Sequence, residues 1–286
     1  MPDAFDPEAY KRTIFEQWET GASAWHKWRP TIENWLAEAT EIMLDLVHVS
    51  AGSHVLDVAA GTGGQTLAAA RRLGPTGSVL ATDISPRSLL FTAAEAEHAE
   101  LWNVATRTMD GERLDVEAGA YDAVISRIGL TYFPDEQAAL SGIMRALKPG
   151  GRLAAVVYST AERNPCFATP ISIIRRRMKL PPPAPGQPGP FSLGRPELLE
   201  HAYVCSGFGE ITVMVVNATL HMSSAAECVR FEREALIGLT QMMAGLDDQE
   251  QEKVWGEIRH ALVAFEDGDG FAGPSQLLVA AGTKPS

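Results

Sequence analysis

A glycine loop between a short apolar run and a helical stretch is the segment of this sequence best suited to bind a ligand. Residues 55–59 are apolar apart from Asp57, Gly61 and Gly63 follow them, and an Ala-rich helical pattern begins at Gln65. Glycines at such a junction let backbone atoms approach a ligand closely, and the N-terminus of the following helix offers free N–H groups to an anion. The pattern is therefore typical of a site for a nucleotide or an amino-acid-like ligand.

Two carboxylates accompany this loop. Asp83 ends the next predicted strand, where it can accept hydrogen bonds from ribose hydroxyl groups; a role as cap of the following helix or turn is the less favoured alternative. Asp57 lies inside the first strand and could orient the loop or meet, through water, the ammonium group of an amino-acid-like ligand. Ala59 occupies the first glycine position. Positions 59, 61 and 63 are each two residues apart, which does not match the GxGxxG spacing and argues against a nicotinamide-dependent oxidoreductase.

The elements that must position these residues alternate along the chain. Strand-like runs alternate with helical stretches from residue 55 to residue 158, which predicts βαβ units, a mostly parallel sheet and helices on both of its faces. We therefore predict an α/β fold with a doubly wound, mostly parallel seven-stranded sheet (Rossmann-like), and helical additions that form a cap. The predicted strands cover residues 55–59, 78–82, 106–109, 121–126, 152–158, 209–222 and 275–282.

The remaining segments suggest how the chain is divided. An aromatic-rich helical region at residues 7–47, which Gly21 and Pro30 should break into pieces, predicts an N-terminal lid. A Pro-rich stretch at 181–190 predicts an extended connector. The expected division is a lid at 1–48, a ligand-binding core at 49–160, a connector with a helix and the sixth strand at 161–223, inserted cap helices at 224–272 and the last strand at 273–286.

Composition excludes several classes of protein. The chain has 24 Lys and Arg against 36 Asp and Glu, a net charge of −12, which argues against a nucleic-acid-binding face. Its three cysteines are too few and too scattered for a disulfide framework or a CxxC metal site, so we expect free thiols and no metal. The acidic start lacks the pattern of a signal peptide, and no apolar run is long enough to cross a bilayer, which predicts a soluble cytoplasmic protein without membrane insertion.

Four further motifs follow the glycine loop in order. They are Asp83 at the end of the second strand, Met109-Asp110-Gly111 after the third, Tyr121 to Arg127 at the fourth, and Leu147 to Gly151 before the fifth. Together with the Asp-x-Ala-x-Gly-Thr-Gly form of the loop, they resemble the motifs of class I S-adenosylmethionine (SAM) dependent methyltransferases, in particular the ubiquinone/menaquinone biosynthesis type. The resemblance covers about residues 50 to 160 and implies SAM as the cofactor.

The resemblance also implies roles for single residues. Gly61 and Gly63 would let the backbone approach the methionine and ribose parts of SAM, with Ala59 at the position where the family usually has glycine. Asp83 would hold the ribose diol, with Ile84 beside it. The adenine amino group would donate to Asp110, flanked by Met109 and Gly111, while Ser126 and Arg127 would lie where the methyl group emerges. Asp57 completes the predicted cofactor-binding set.

A catalytic base is harder to predict, because SAM carries its own activation and a base is needed only if the nucleophile starts protonated. His26, in the predicted lid, and Tyr132, after the fourth strand, are the two candidates to test first, although a packed polar role is the commoner one for such residues. Arg127 could steady an anionic acceptor or pair with an acid. A protein that binds SAM without transferring its methyl group is an alternative that the sequence leaves open.

The acceptor is expected to be a small, moderately hydrophobic molecule. Apolar residues are frequent between residues 160 and 275, which suits either an acceptor pocket or the face of a homodimer. Trp18, Trp25, Trp28 and Trp35 could line that pocket or pack the N-terminal helices onto the core, and their seven-residue spacings favour packing. The basic run at 175–177 is interpreted as a solvated helix face, with phosphate binding as the alternative.

Overall fold

A seven-stranded sheet forms the centre of the protein in the computed structural model, which describes residues 5–184 and 186–286. The strands are β1 (His54–Val58), β2 (Ser78–Asp83), β3 (Val104–Thr108), β4 (Tyr121–Arg127), β5 (Leu147–Tyr158), β6 (Gly209–Asn217), β7 (Leu220–Met222), β8 (Glu266–Asp267), β9 (Gly270–Gly273) and β10 (Gln276–Thr283). The order in the large sheet is β3-β2-β1-β4-β5-β10-β6, with β1 to β5 parallel and β10 antiparallel to both neighbours. The predicted fold class is thereby confirmed.

Helices cover both faces of this sheet because its strands alternate apolar side chains to either side. Val55 and Ile125 point to the face on which α2 and α3 pack, while Leu56 and Val124 point to the face of α5 and α7. The helices are α1 (Pro7–Lys27), α2 (Arg29–Leu46), α3 (Gly64–Leu73), α4 (Pro86–His98), α5 (Glu136–Ala146), α6 (Pro165–Met178), α7 (Pro196–Cys205), α8 (Ala225–Ala235), α9 (Ile237–Gln241) and α10 (Asp248–Leu262).

The strand order places one edge of the sheet where ligands are expected. The chain proceeds outwards from β1 through β2 to β3, and then returns to the other side of β1 to form β4. In open α/β sheets the crevice at such a reversal, beyond the carboxyl ends of the strands, is the usual ligand site. The glycine loop follows β1 and Asp83 ends β2, so both lie at this edge.

Two local predictions are wrong. The run at 209–222 is not one strand: β6 ends at Asn217, and β7 belongs to a separate three-stranded sheet of order β7-β9-β8. The chain leaves the large sheet at Ala218, whose carbonyl oxygen accepts a hydrogen bond from the indole of Trp35. The segment predicted as inserted cap helices therefore also contains two short strands, β8 and β9. Strand β9 pairs with β7 and β8 and not with the large sheet.

Gly21 does not break the N-terminal helix. Helix α1 runs through it to Lys27, and the break falls at Trp28, while Pro30 is accommodated in the first turn of α2. A Cβ at Gly21 would lie 3.2 Å from Ile237 and 3.3 Å from the carbonyl oxygen of Ala235. Glycine is therefore used here for close packing of α1 against the junction of α8 and α9.

The predicted N-terminal lid at residues 1–48 corresponds mainly to two helices. Residues 1–4 of the predicted lid lie outside the described residues, and α1 and α2 account for most of the rest of it. Among the helices that the structure describes, none is long and apolar enough to cross a membrane.

Candidate functional site

A cavity lies at the carboxyl ends of β1, β2, β3 and β4, and we call it the inner cavity. Helix α1 covers it from the solvent side, and the loops that follow these four strands form its floor. Its walls contain nine of the predicted cofactor or catalytic residues: Ala59, Gly61, Asp83, Ile84, Met109, Asp110, Gly111, Arg127 and Tyr132. The structure thus brings together residues that are separated by as many as 73 positions in the sequence (59 to 132).

The glycine loop turns sharply through three residues with positive φ. Gly61 has φ 59° and Gly63 has φ 90°, in the left-handed region that favours glycine. A Cβ added at Gly61 would meet nothing within 4 Å, so the backbone there faces open space in the cavity. Gly63 is the N-cap of α3, and a Cβ there would lie 2.8 Å from Thr92. The loop therefore exposes backbone N–H groups next to a helix N-terminus.

Ala59 adopts the same left-handed conformation without being glycine. Its φ is 60°, a conformation that costs an L-residue about 1 kcal/mol or more. Ile128, after β4, has φ 64° although its side chain is β-branched, which makes it a true outlier. Both residues line the inner cavity. Strained backbone of this kind is concentrated at functional sites, where the surrounding structure holds it in place.

Asp83 holds the glycine loop through its carboxylate. Oδ2 accepts a hydrogen bond from the backbone N–H of Gly61 at 2.8 Å, and Oδ1 accepts one from Ser85 at 2.8 Å. Helix α4 is capped by Ser85, whose hydroxyl accepts from the N–H of Ser88, so Asp83 is not the cap. Burial raises the pKa of Asp83, partly offset by these N–H donors. Asp83 therefore both shapes the loop and presents a carboxylate to the cavity.

Asp57 lies behind the loop rather than on the cavity wall. It is fully buried, and its carboxylate accepts hydrogen bonds from Gln65 at 3.1 Å and Thr66 at 2.5 Å, both in the first turn of α3. Burial raises its pKa to about 7, although these two donors and the charge of Arg127 act in the opposite direction. The geometry favours the first of the two expected roles, orientation of the loop.

Arg127 crosses underneath the glycine loop. One guanidinium nitrogen donates to Thr40 Oγ1 at 2.9 Å, and a Cβ added at Gly64 would lie 2.6 Å from another. Burial lowers the pKa of Arg127 to about 10, partly offset by the charges of Asp57 and Glu33, so it stays protonated at neutral pH. Arg127 is thus a cation at the cavity wall, held by its hydrogen bond to Thr40.

Asp110 is tied to the helix that covers the cavity. Its Oδ2 accepts a hydrogen bond from Lys11 Nζ at 2.8 Å, and the same ammonium contacts Glu112. Its Oδ1 accepts the backbone N–H of Glu112 at 3.0 Å. Gly111 leaves room for the ring of Phe133, which a Cβ there would overlap. This ion pair closes α1 over the part of the cavity formed by Met109, Asp110 and Gly111.

Two further predicted site residues, His26 and Ser126, do not line the inner cavity. His26 stacks on Phe91 with ring centroids 4.3 Å apart, its Nε2 lies 3.7 Å from Glu95, and it lies between α1 and α4 outside the lining of the cavity. This position does not favour a role as a base. Ser126 is buried behind the wall, and its hydroxyl has no hydrogen-bond partner among the described residues.

A second, larger cavity adjoins the inner one, and we call it the outer cavity. It contains about 1820 Å³ of empty space, against about 1140 Å³ for the inner cavity, with open solvent counted in both. Three side chains, those of Ile14, Trp18 and Tyr132, line both cavities. The rest of its wall is mainly apolar and aromatic, with Tyr158, Phe167, Phe191, Leu239 and Met242 as prominent members.

The four tryptophans divide between the two expected roles. Trp28 and Trp35 are buried in the core, whereas Trp18 and Trp25 line the inner cavity and contact each other edge to face, with ring centroids 5.4 Å apart. In the basic run, Arg176 and Arg177 pair with Glu257 on the surface, as a solvated face would, while Arg175 lines the outer cavity.

Several residues of both cavities have no local signal in the sequence. Lys11 and Ile14 are ordinary members of an amphipathic helix, and only the tertiary structure shows that this helix covers the site. The outer cavity also recruits Pro183, Ala184 and residues 186–192, which the sequence presents simply as connector. The apolar composition between residues 160 and 275, which suited an acceptor pocket, was the available hint.

Comparisons with known proteins agree with the geometry. Residues 55–151 match the family described as "Methyltransferase domain". The chain is 38% identical over 111 residues to nocamycin O-methyltransferase of Saccharothrix syringae, covering 39% of this chain and 40% of that protein. It is 35% identical over 129 residues to the ubiquinone/menaquinone biosynthesis C-methyltransferase of Methylococcus capsulatus, covering 43% and 50%. The core of the chain thus resembles the class I SAM-dependent methyltransferases, as its motifs indicated.

The likeness in three dimensions extends further along the chain. The structure of phosphoethanolamine N-methyltransferase 2 of Haemonchus contortus, in complex with phosphomonomethylethanolamine and S-adenosylhomocysteine, superposes with a TM-score of 0.59 at 18% identity. It covers 100% of this chain and 62% of that one, and at this identity it shows the fold. The chain spans about half or less of the length of the two curated relatives named above.

Proposed function

We propose that this protein is a SAM-dependent methyltransferase that binds SAM in the inner cavity and a small, moderately hydrophobic acceptor in the outer cavity. The observation that carries the proposal is the meeting of the two cavities at Ile14, Trp18 and Tyr132. A methyl group can pass between two bound molecules only where their sites are in contact. The cavities supply such a place, enclosed on one side by α1.

The residues of the inner cavity fit the chemistry of SAM. The Asp83 carboxylate has acceptor capacity left for a ribose diol after its two backbone bonds, because each oxygen carries a second lone pair. The open backbone at Gly61 suits close approach of the ribose and methionine parts. Met109, Asp110 and Gly111 form an apolar and acceptor-bearing wall for adenine. Carboxylates around the cavity also suit the ammonium and sulfonium charges.

When bound, SAM supplies a methyl group on a positively charged sulfur that is already a good leaving group. The protein then has to align the acceptor with that methyl group and keep water out. Trp18, Ile14 and Tyr132 line both cavities, which places them where this alignment would occur. Alignment of this kind can lower a barrier by about 7–11 kcal/mol, so most of the catalysis would come from positioning.

Proton transfer would contribute less to catalysis than positioning does. Burial raises the pKa of Tyr132, so its phenol stays protonated at neutral pH and acts as a hydrogen-bond donor rather than a base. Burial likewise raises the pKa of Tyr158, whose ring lines the outer cavity. An acceptor that is already nucleophilic, or already ionised, suits this arrangement. We retain Tyr132 as the candidate catalytic residue and assign His26 to the packing of α1 on α4.

Calorimetry with SAM, S-adenosylhomocysteine and NAD tests the cofactor. We expect both sulfur compounds to bind below the millimolar range, and binding of NAD alone would contradict the proposal. Incubation with labelled SAM and a panel of phenols, quinols, amines and prenyl compounds tests the transfer. Acceptor-dependent label transfer is expected for an apolar member of the panel.

A second candidate function is a SAM-binding protein with a regulatory or non-methylating role. The arrangement that favours it is the absence, among the described residues, of an assigned base at the junction of the cavities. Tight binding of SAM without label transfer to any acceptor would favour this candidate. The sequence-based expectations of a cytoplasmic protein, of a homodimer and of no nucleic-acid partner remain predictions, and light scattering after size exclusion tests the homodimer.

A further inference from the structure

Three buried side chains form a cluster away from both cavities. Cys166 lies in the first turn of α6, and Cys228 and Glu232 lie one turn apart on α8, so that they share a face of that helix. All three are fully buried. The two sulfur atoms are 3.9 Å apart, and one ligand atom from each residue lies within 4.8 Å of the other two. Two of the three thiols, far apart in the sequence, therefore meet in the folded chain, and both are free cysteines.

Glu232 is the unusual member of the cluster. Neither of its carboxylate oxygens has a hydrogen-bond partner among the described residues. Burial raises its pKa, and the neighbouring charge that acts on it is that of Cys166, which raises it further. A buried carboxylate without donors or a cation is costly, by several kcal/mol when it is ionised. Something that accepts electron pairs from oxygen and sulfur would remove this cost.

We propose that Cys166, Cys228 and Glu232 bind a zinc ion. Zinc takes thiolate sulfur at about 2.3 Å and carboxylate oxygen at about 2.0–2.2 Å in a tetrahedral arrangement. Two sulfurs bound in this way are roughly 3.8 Å apart, which follows from the bond length and the tetrahedral angle. The observed separation of 3.9 Å is compatible with that edge, and it also allows one thiol to donate a hydrogen bond to the other. Glu232 can supply a third ligand through one oxygen, and chelation by its second free oxygen would give a four-coordinate site distorted from the tetrahedron.

The surroundings of the cluster suit a closed, structural site. A Cβ at Gly273 would lie 2.6 Å from the sulfur of Cys166, so the backbone of β9 closes the cluster on one side. Structural zinc sites are fully enclosed by protein ligands, whereas catalytic ones keep an open position. The ion would join α6 to α8 directly behind Phe167, which lines the outer cavity. Its role would be to fix that wall.

Two other states of the cluster make different predictions. A disulfide requires the sulfurs at about 2.05 Å, well inside their separation here, and an external oxidant to accept two electrons. A neutral cluster, with both thiols and Glu232 protonated, would hold no ion. Each of these states is an outcome of the test below.

Metal content is the first measurement. The full chain is purified with a removable tag that contains no histidine run, in medium supplemented with zinc, and its zinc is measured by mass spectrometry. We expect about one zinc ion per chain, and cobalt substitution should produce a thiolate-to-metal absorption band. A zinc content below about one tenth per chain, together with no uptake of zinc or cobalt by the refolded protein, overturns the proposal. So does a disulfide found by thiol titration of the unfolded protein.

Variants then assign the ligands. Cys228→Ser and Glu232→Gln should each lower zinc affinity by tenfold or more, whereas Cys205→Ser, at the exposed third cysteine, should keep it. Circular dichroism shows whether each variant folds. Glu232→Gln keeps the volume of the side chain and removes a buried acid, so without a metal it should leave the melting temperature unchanged or raise it. We expect a lower melting temperature and loss of the response to chelators; a rise, with unaltered metal content, contradicts the assignment.

Discussion

Tyr132 packs edge to face against Trp18, with ring centroids 5.4 Å apart and an angle of 81° between the planes, at the junction of the inner and outer cavities. The two residues come from the helix that covers the site and from the loop after β4. Aromatic pairs in this geometry contribute about 0.5–1.5 kcal/mol beyond the area that they bury. The pair therefore also helps to hold α1 closed over the site.

Replacement of the phenol of Tyr132 tests its role at this junction. Tyr132→Phe keeps the ring against Trp18 but removes the hydroxyl group, so we expect kcat to fall about tenfold with the affinity for SAM unchanged. The measurement is methyl transfer with the best acceptor of the panel, alongside calorimetry with SAM. Tyr203→Phe is a matched control, because its hydroxyl donates to the Ala280 carbonyl on the opposite face of the sheet. Equal rates for the two variants would remove Tyr132 from the mechanism.

Asp83 should contribute to cofactor binding. Asp83→Ala removes the carboxylate that holds Gly61 and faces the cavity, so we expect binding of S-adenosylhomocysteine to weaken by about 1–3 kcal/mol, or roughly 5- to 150-fold. Calorimetry measures the change. Asp122→Ala serves as control, since Asp122 also accepts a backbone N–H, from His54, but lies outside the lining of the inner cavity. Unchanged binding in Asp83→Ala would contradict the assigned role.

Substitutions at Ala59 and Gly129 should have coupled effects on the stability of the protein. Gly129 has φ −82° and ψ −43°, which alanine adopts readily, but a Cβ there would overlap the Cβ of Ala59. Gly129→Ala should therefore destabilise the protein by about 1–3 kcal/mol. Ala59→Gly should stabilise it by up to about 1 kcal/mol, because φ is 60° there.

The double variant separates steric overlap from backbone strain. Ala59→Gly should recover much of the loss caused by Gly129→Ala, because it removes the atom that is struck, although Ser126 Oγ at 3.1 Å remains. Urea unfolding of the four proteins gives the coupling free energy. If the two changes in the free energy of unfolding simply add, the overlap between a Cβ at position 129 and the Cβ of Ala59 is not the cause of the loss.

Asp57 should make the stability of the protein depend on pH. Its pKa in the folded protein is raised to about 7 by burial, whereas an aspartate in an unfolded chain ionises near pH 4. Between these values the folded state holds a proton that the unfolded state has released, so the contribution of Asp57 to stability falls as pH rises from about 4 to about 7. Asp57→Asn cannot titrate and should lack this component.

Unfolding by urea at pH 4, 5, 6, 7 and 8 measures the effect. The free energy of unfolding of Asp57→Asn, relative to that of the natural chain, should rise by an amount on the order of 2–4 kcal/mol across this range. The attraction between ionised Asp57 and Arg127 is one of the effects that set the pKa of Asp57, so it is part of this pH-dependent change. Parallel curves for the two proteins would show that the pKa of Asp57 is not raised.

Much of the inner cavity could be predicted from local sequence, because a strand, a turn with positive φ and a helix N-terminus are set by neighbouring residues. Gly61, Gly63 and Asp83 illustrate this: their positions at strand ends follow from apolar runs and glycines, and a parallel sheet brings strand ends together. The alternation of strands and helices from residue 55 to residue 158 likewise predicted the parallel sheet and its two covered faces.

Features that depend on the approach of distant segments could not be predicted in this way. Lys11 reaches Asp110 across 99 positions of sequence, and Cys166 meets Cys228 across 62, without any local pattern that marks either pair. His26 and Gly21 were interpreted from their residue types, and only the structure shows that His26 packs against α4 and Gly21 against the junction of α8 and α9. The sequence by itself therefore determined the fold and the glycine-loop site, since both arise from short-range periodicity and backbone preference. Only the tertiary structure decided which helix covers the site, where the outer cavity opens and which buried groups meet, since these depend on long-range packing.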